Sequence, residues 1–190
     1  MAFRVAGAYD RSGADEGEGR FARLAVAVAK YWVNKRLPTV VTEAMEILGG
    51  GGYVEESPLP RLYREAPVNS IWEGSGNVIC LDVLRTLADD PEAADLYVAE
   101  LEHARGADLH LDRAIDGLKA DLAGGPGGEV EARRLTERMA LALQGALLHR
   151  HGPQAVAHAF SATRLAGDWG GALGTLPAGT DFRAVAARAA

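Results

Sequence analysis

Residues Ile71-Trp72-Glu73-Gly74-Ser75-Gly76-Asn77 set a carboxylate, a hydroxyl and an amide around two glycines. Two kinds of chemistry fit such a turn. If a helix starts here, its first backbone N–H groups have no partner, and glycines without a Cβ leave them open to an anion such as a phosphate. Ser75 and Asn77 add side-chain hydrogen-bonding groups to that seat. Glu73 stands immediately before it, beside Trp72. A carboxylate against an aromatic wall is desolvated, which raises its pKa toward that of a general base working near neutral pH. Plainer readings exist for each piece alone: Ser75 as a helix N-cap and Glu73 as a solvated surface charge.

Two further stretches are out of character for a plain bundle: Glu46-Ile47-Leu48-Gly49-Gly50-Gly51-Gly52-Tyr53 and Arg61-Leu62-Tyr63-Arg64-Glu65-Ala66-Pro67. The elements that would position them follow from the apolar spacing. Residues 3–9 form a short apolar stretch, and residues 10–19 a polar loop. Across residues 20–37, Phe21, Leu24, Val28, Tyr31 and Trp32 recur with helical spacing. Pro38 is expected to end that helix and open the next, which carries Val41, Met45 and Leu48 and is released at the glycine run. Residues 53–70 hold Pro58, Pro60 and Pro67 and read as an extended loop. A third helix opens near Ser75 and runs to about Asp90, with Cys80 on its apolar side.

The rest is helical as well. One segment covers residues 91–122, and residues 123–128 break it. A second covers residues 129–150, with Leu135, Met139, Leu143 and Leu147 at every fourth position. A short helix begins after Pro153 and ends near Gly167. Residues 168–180 are a glycine-rich loop in which Trp169 has no assignable role, and residues 182–190 form a final turn. No strand pattern of comparable strength appears. The fold class is therefore all-α, a packed helix bundle with a helical extension.

Composition excludes several function classes. The 190 residues carry 20 basic and 26 acidic side chains, a formal charge of −6, with 10 basic and 13 acidic in each half when divided after residue 90. That balance argues against binding nucleic acid or membrane through bulk positive charge. The one cysteine, Cys80, rules out an internal disulfide framework and a multi-cysteine zinc site, and the five histidines lack paired metal spacing, so no metal is expected. The N-terminus has no long apolar run before its charged residues, so a soluble, cytoplasmic protein is expected.

Taken together, the motifs resemble the C-terminal helical domain of the acyl-CoA dehydrogenase family. The family order is a helix ending in Q-x-x-G-G-x-G-Y/F, then R-D/E-A, then Y-E-G-T-x-x-x-Q entering a helix. The matching residues are Glu46 to Tyr53, Arg64-Glu65-Ala66 and Trp72-Glu73-Gly74-Ser75. The wording from Arg61 to Asn77, and the helical tail after Asp90, are closer to the AidB-type, alkylation-response branch. The resemblance implies a bundle over residues 1–90 whose first helix is truncated, and an AidB-like helical extension over residues 91–190.

It also implies functional roles. Glu73 takes the position of the catalytic base that removes the α-proton of an acyl-CoA, while a hydride leaves the β-carbon for FAD. Gly74, Ser75, Gly76 and Asn77 match the turn that contacts FAD, and Ile71, Trp72 and Leu81 line the same passage. Gly49 and Gly50 match the loop that approaches a flavin bound by a neighbouring subunit, which implies a homo-oligomer of the tetramer type. Glu46 stands where the family has a cofactor-bonding Gln, and an ionised Glu offers only acceptors, so that one contact is in doubt.

The family's complete enzymes carry an N-terminal helical domain and a small β domain ahead of this one. The chain is thus expected to be the C-terminal part of a longer flavoprotein, binding FAD weakly and lacking dehydrogenase activity alone. The AidB-type branch further implies double-stranded DNA as a partner. Arg85, and a stripe of Arg133, Arg134, Arg138, Arg150 and Arg164, are the candidates. The alternative function is then a DNA-binding protective module with a structural flavin site. The plainer reading is that these arginines are helix-surface charges paired with Glu129, Glu131 and Glu137. His149, Arg150 and His151 suit a helix C-terminus, where positive charge complements the dipole.

Overall fold

A computed structural model describes residues 1–125 and 128–188. All regular elements among them are helical: α1 (Ala2–Arg11), α2 (Glu16–Ile47), α3 (Gly50–Tyr53), α4 (Leu59–Glu65), α5 (Gly76–Asp89), α6 (Pro91–Glu102), α7 (Leu109–Ala123), α8 (Ala132–His151), α9 (Gln154–Phe160) and α10 (Phe182–Ala187). The all-α class holds. Pro126 and Gly127 of the expected break, and Ala189 and Ala190 of the final turn, lie outside the described residues.

The organising element is α2. The Asp15 carboxylate caps it by accepting from the Glu18 N–H, and Glu16 and Glu18 complement the dipole of its first turn. The helix then runs for 32 residues straight through Pro38, where the sequence suggests two separate helices. An interior proline costs about 3 kcal/mol, so lateral support must outweigh it. Just upstream the Asn34 amide donates to the Asn69 carbonyl (2.7 Å), and downstream Val41 is buried while α3 and α4 pack alongside.

Residues 53–70 also depart from expectation. Pro58 is the N-cap of α4, Pro60 lies in its first turn, and Pro67 opens a 3-10 turn, Ala66–Ser70. Proline suits these places because a first turn leaves its donors unused; counting prolines as helix breakers misreads them. The expected single helix over residues 91–122 is two. Gly106 takes a left-handed φ of 83°, and the Asp108 carboxylate caps α7 by accepting from the His110 and Leu111 N–H groups.

One core joins both halves of the sequence. Phe21, Leu24 and Val28 of α2 meet Val83 of α5, Tyr97 and Leu101 of α6, Leu111, Ile115 and Leu118 of α7, and Met139 and Leu143 of α8. Full burial of each such side chain contributes about 1.5–3 kcal/mol. The Tyr97 ring stacks on Phe21 (5.7 Å), and its hydroxyl donates to the Met139 carbonyl (3.1 Å); burial pushes that hydroxyl's pKa well up. Cys80 is buried in a smaller cluster with Tyr31 and Ala132, as its place on the apolar face suggests. At the edge of the core, Arg4 of α1 bridges Glu18 and Glu100, and Arg150 of α8 reaches the same Glu100. Among the described residues no helix is long and apolar enough to cross a membrane.

Candidate functional site

The candidate turn hangs between the 3-10 turn and α5. The Ile71 and Trp72 N–H groups donate to the Val68 carbonyl (2.9 and 3.0 Å). Glu73 then adopts a left-handed φ of 55°, the one non-glycine residue among those described to do so, and Gly74 follows at 114°. A left-handed glutamate is strained by about 1 kcal/mol or more, a condition that clusters at functional sites. The strain is held by Lys30 of α2. Its ammonium donates to the carbonyls of Trp72 (2.8 Å) and Glu73 (2.9 Å), and lies 5.9 Å from the centre of the Trp72 ring.

Ser75 is the N-cap residue of α5 with extended backbone, but its hydroxyl makes no capping bond, so the plain N-cap reading is only half realised. The first bond of the helix runs from the Ile79 N–H to the Ser75 carbonyl, which leaves the N–H groups of Gly76, Asn77 and Val78 without intrahelical partners. Two cations crowd this end. A Cβ on Gly76 would lie 2.7 Å from Cε of Lys35 and 3.3 Å from a guanidinium nitrogen of Arg133. Free donors and two nearby cations are the kind of groups that suit an anion, but Gly76 is buried and Lys35 already fills the space its side chain would take.

The desolvation expected at Glu73 is not supplied by the described residues. Its side chain is exposed, Trp72 is 54% and Ile71 63% accessible, and the small cleft beside Gly74 and Gly76 has a volume of only about 10 Å3. Lys30 of α2 reaches the Trp72 ring and the Trp72 and Glu73 carbonyls, while the Ile71, Trp72 and Glu73 side chains stay exposed. Leu81 is half-buried against the Tyr31–Cys80 cluster. Gly49 (φ 56°) and Gly50 sit exposed at the end of α2, and Glu46 is exposed too. Gly52 differs from its neighbours: it is buried, and a Cβ there would collide with the Met45 carbonyl and lie 2.9 Å from the Met45 Cα. So the glycine run is part loop and part close contact.

The arginines expected to form a stripe are mostly engaged. Arg85 pairs with Asp82 (3.4 Å), which also takes a bidentate contact from Arg23. Arg138 pairs with Asp121 and Arg150 with Glu100, while Arg133 lies over the Tyr31 ring (6.0 Å). None of these contacts uses Glu129, Glu131 or Glu137, and Arg134 forms no ion pair among the described residues. His149 bonds the Ser161 hydroxyl (2.9 Å) at the end of α8, and burial lowers its pKa. Trp169, without a sequence-level role, receives the Arg164 guanidinium at 4.1 Å. Sequence reasoning missed Lys30 and the left-handed backbone of Glu73. Lys30 carries no signal at all, whereas the Glu73-Gly74 pair hints at a tight turn.

A bundle whose described elements are all helical, with a glycine turn opening a helix against a long central helix, is the architecture of a known class. The family profile described as "Acyl-CoA dehydrogenase, C-terminal domain" matches residues 1–88, so that part of the chain is a C-terminal domain of the acyl-CoA dehydrogenase family. Among individual relatives, AidB of Escherichia coli (strain K12) is 45% identical over 160 residues, covering 84% of this chain and 29% of that protein. "Acyl-CoA dehydrogenase family member 11" of Caenorhabditis elegans is 39% identical over 87 residues, 46% of this chain and 14% of that protein. The solved structure of Caenorhabditis elegans ACDH-11 in complex with C11-CoA superposes with a TM-score of 0.70 at 26% identity, over 86% of this chain and 33% of that one. The apo-form of Bd2924 gives 0.61 at 27% identity, over 83% and 29%. The chain thus spans about a third or less of the relatives it matches.

Proposed function

We propose that this chain contributes the catalytic base and part of the flavin seat of an FAD-dependent acyl-CoA dehydrogenase that oxidises the Cα–Cβ bond of an acyl-CoA. The observation that carries the reading is Glu73 held in a left-handed backbone directly before the open first turn of α5, with Lys30 clamping the carbonyls on either side. Family membership and the C11-CoA complex of ACDH-11 support the substrate class.

Glu73 accepts the α-proton through its carboxylate. That C–H is a weak acid, so the base must be oriented before the proton moves, and the clamped turn limits where the carboxylate can reach. Gly74, Ser75, Gly76 and Asn77 hold the cofactor's polar groups at the N-terminus of α5, with Lys35 and Arg133 beside them. Ile71, Trp72 and Leu81 flank the passage, and Gly49 and Gly50 approach a flavin held by a second copy. When bound, FAD accepts the hydride equivalent released from the β-carbon. The exposed apolar side chains at the far end of α2, Ile47 and Tyr53 among them, support assembly into a homo-oligomer.

Because Glu73 lies in water here, we expect this chain alone to bind FAD weakly and to turn over acyl-CoA poorly, in a soluble cytoplasmic setting. The test is FAD fluorescence titration, followed by dye reduction with acyl-CoA thioesters in flavin-loaded protein. Replacing Glu73 with Gln should lower turnover by orders of magnitude and leave flavin binding intact; unchanged turnover would remove Glu73 from the base role. Duplex DNA as a partner rests on Arg85 and the tail arginines, of which Arg85, Arg138 and Arg150 are held in ion pairs while Arg133, Arg134 and Arg164 form none among the described residues.

A further inference from the structure

The tail carries a second basic feature, away from the flavin turn. Between α7, α8 and the segment after α9 lies a groove of about 440 Å3. His110, Arg113, Arg138 and Arg164 line it together with Leu141 and Leu165, and no carboxylate is among its lining residues. That volume lies in the range of small-molecule sites. Arg138 is balanced by Asp121, whereas Arg113 and Arg164 form no ion pair among the described residues. Arg164 is half-buried over the Trp169 ring; burial, and then the nearby charge of Arg36, hold its pKa below the ordinary arginine value. A desolvated cation facing other cations is stabilised by an anion that completes the set.

The groove is built from packed elements. After Phe160 the helix widens into a π turn, Ser161–Leu165, a form that recurs at functional sites. The Ala166 N–H donates to the Ser161 carbonyl (2.9 Å), and His149 bonds the Ser161 hydroxyl, so the turn carrying Arg164 is pinned to α8. Leu165 packs where a Cβ on Gly145 would stand, 3.0 Å from its Cδ1. On the opposite wall, the absence of a side chain at Gly117 lets the Arg138 guanidinium lie close against α7, 2.5 Å from where a Cβ would be.

We propose that this groove binds a small phosphate-bearing molecule, its phosphate held by Arg113, Arg138 and Arg164 and its apolar part resting on Leu141 and Leu165. Planar guanidinium forks match phosphate oxygens in geometry and charge. A long polyanion fits less well, because the chain's net charge is −6. The inference does not depend on the flavin reading.

Isothermal titration of the whole chain with pyrophosphate, and separately with a short DNA duplex at the same ionic strength, tests it. Pyrophosphate should bind, and Arg113→Gln, an exposed position that spares the fold, should weaken it about tenfold or more. Arg164→Gln should do the same with an unchanged far-UV spectrum. Arg133→Gln, beside the first turn of α5, should leave this binding intact. No binding of pyrophosphate overturns the proposal. So does binding that only Arg133→Gln removes, or duplex binding sensitive to Arg113→Gln without pyrophosphate binding.

Discussion

The two ends of α2 live in different surroundings. Upstream of Pro38, Phe21, Leu24 and Val28 are sealed against α5, α6 and α8. Downstream, Ile47 is 82% and Tyr53 77% accessible, and Val40, Leu48, Leu62 and Tyr63 also face solvent. The helix is therefore core at one end, while at the other it and the short α3 and α4 beside it present apolar surface. Glu73 and the glycine turn sit at the seam, tied to the packed end by Lys30. Rigidity is concentrated in the core, while the groups able to meet a cofactor or a partner lie where this chain provides no cover.

The sharpest test of that division is catalytic. In flavin-loaded protein, Glu73→Gln should lower kcat by about 10²–10⁴-fold without moving the urea midpoint, because Glu73 makes no side-chain contact with the core. Truncation should separate the two ends next. Leu143→Ala, in the core, is expected to destabilise by about 2–5 kcal/mol in urea unfolding. Ile47→Ala should stay within about 0.5 kcal/mol while reducing self-association in sedimentation experiments. Equal costs at the two sites would erase the contrast.

Gly52→Ala breaks the arm locally. The added methyl overlaps the Met45 backbone, so α3 must shift at a cost of about 1–3 kcal/mol, read as earlier proteolysis within residues 48–54 than elsewhere. Lys30→Met should loosen the seam by about 1 kcal/mol, seen as faster amide exchange at residues 71–75 with little change in Tm. The smallest effect is one of pH at the core's rim. Arg105, and then Lys119, hold the Glu102 carboxyl down to about 2 from an ordinary 4.5. A depressed carboxyl stabilises the fold fully above about pH 4.5, and that contribution is lost as pH falls toward 2. Glu102→Gln should thus be slightly less stable than the parent at neutral pH, with the difference vanishing in acid unfolding near pH 2.

Most of the bundle was legible because the apolar spacing in α2, α5 and α8 is long and regular. The misreadings come from punctuation. Pro38 looks like a boundary, yet support from Asn69 and from α3 and α4 carries the helix through it. Pro58, Pro60 and Pro67 look like an extended loop, yet Pro58 is the N-cap of α4, and Pro60 and Pro67 sit in first turns that have no use for a missing donor. The division of residues 91–122 rests on Asp108 capping α7, which the helical character around it hides. At the site, residue types in the Glu73–Asn77 turn suggested the chemistry and the family, since local sequence encodes the turn. Lys30 lies 42 residues before Trp72, and a contact of that separation leaves no trace in spacing. The exposure of Glu73 was equally hidden, because burial is decided by what packs over a residue.

The twisted backbone at Glu73 has an evolutionary consequence. Exchange for glycine would relieve the crowding of a side chain at positive φ, by about 1 kcal/mol, and would tighten nothing else. A lineage with no further use for the acid therefore has an open downhill route away from it, and the glutamate at this position marks a chain in which that route has not been taken.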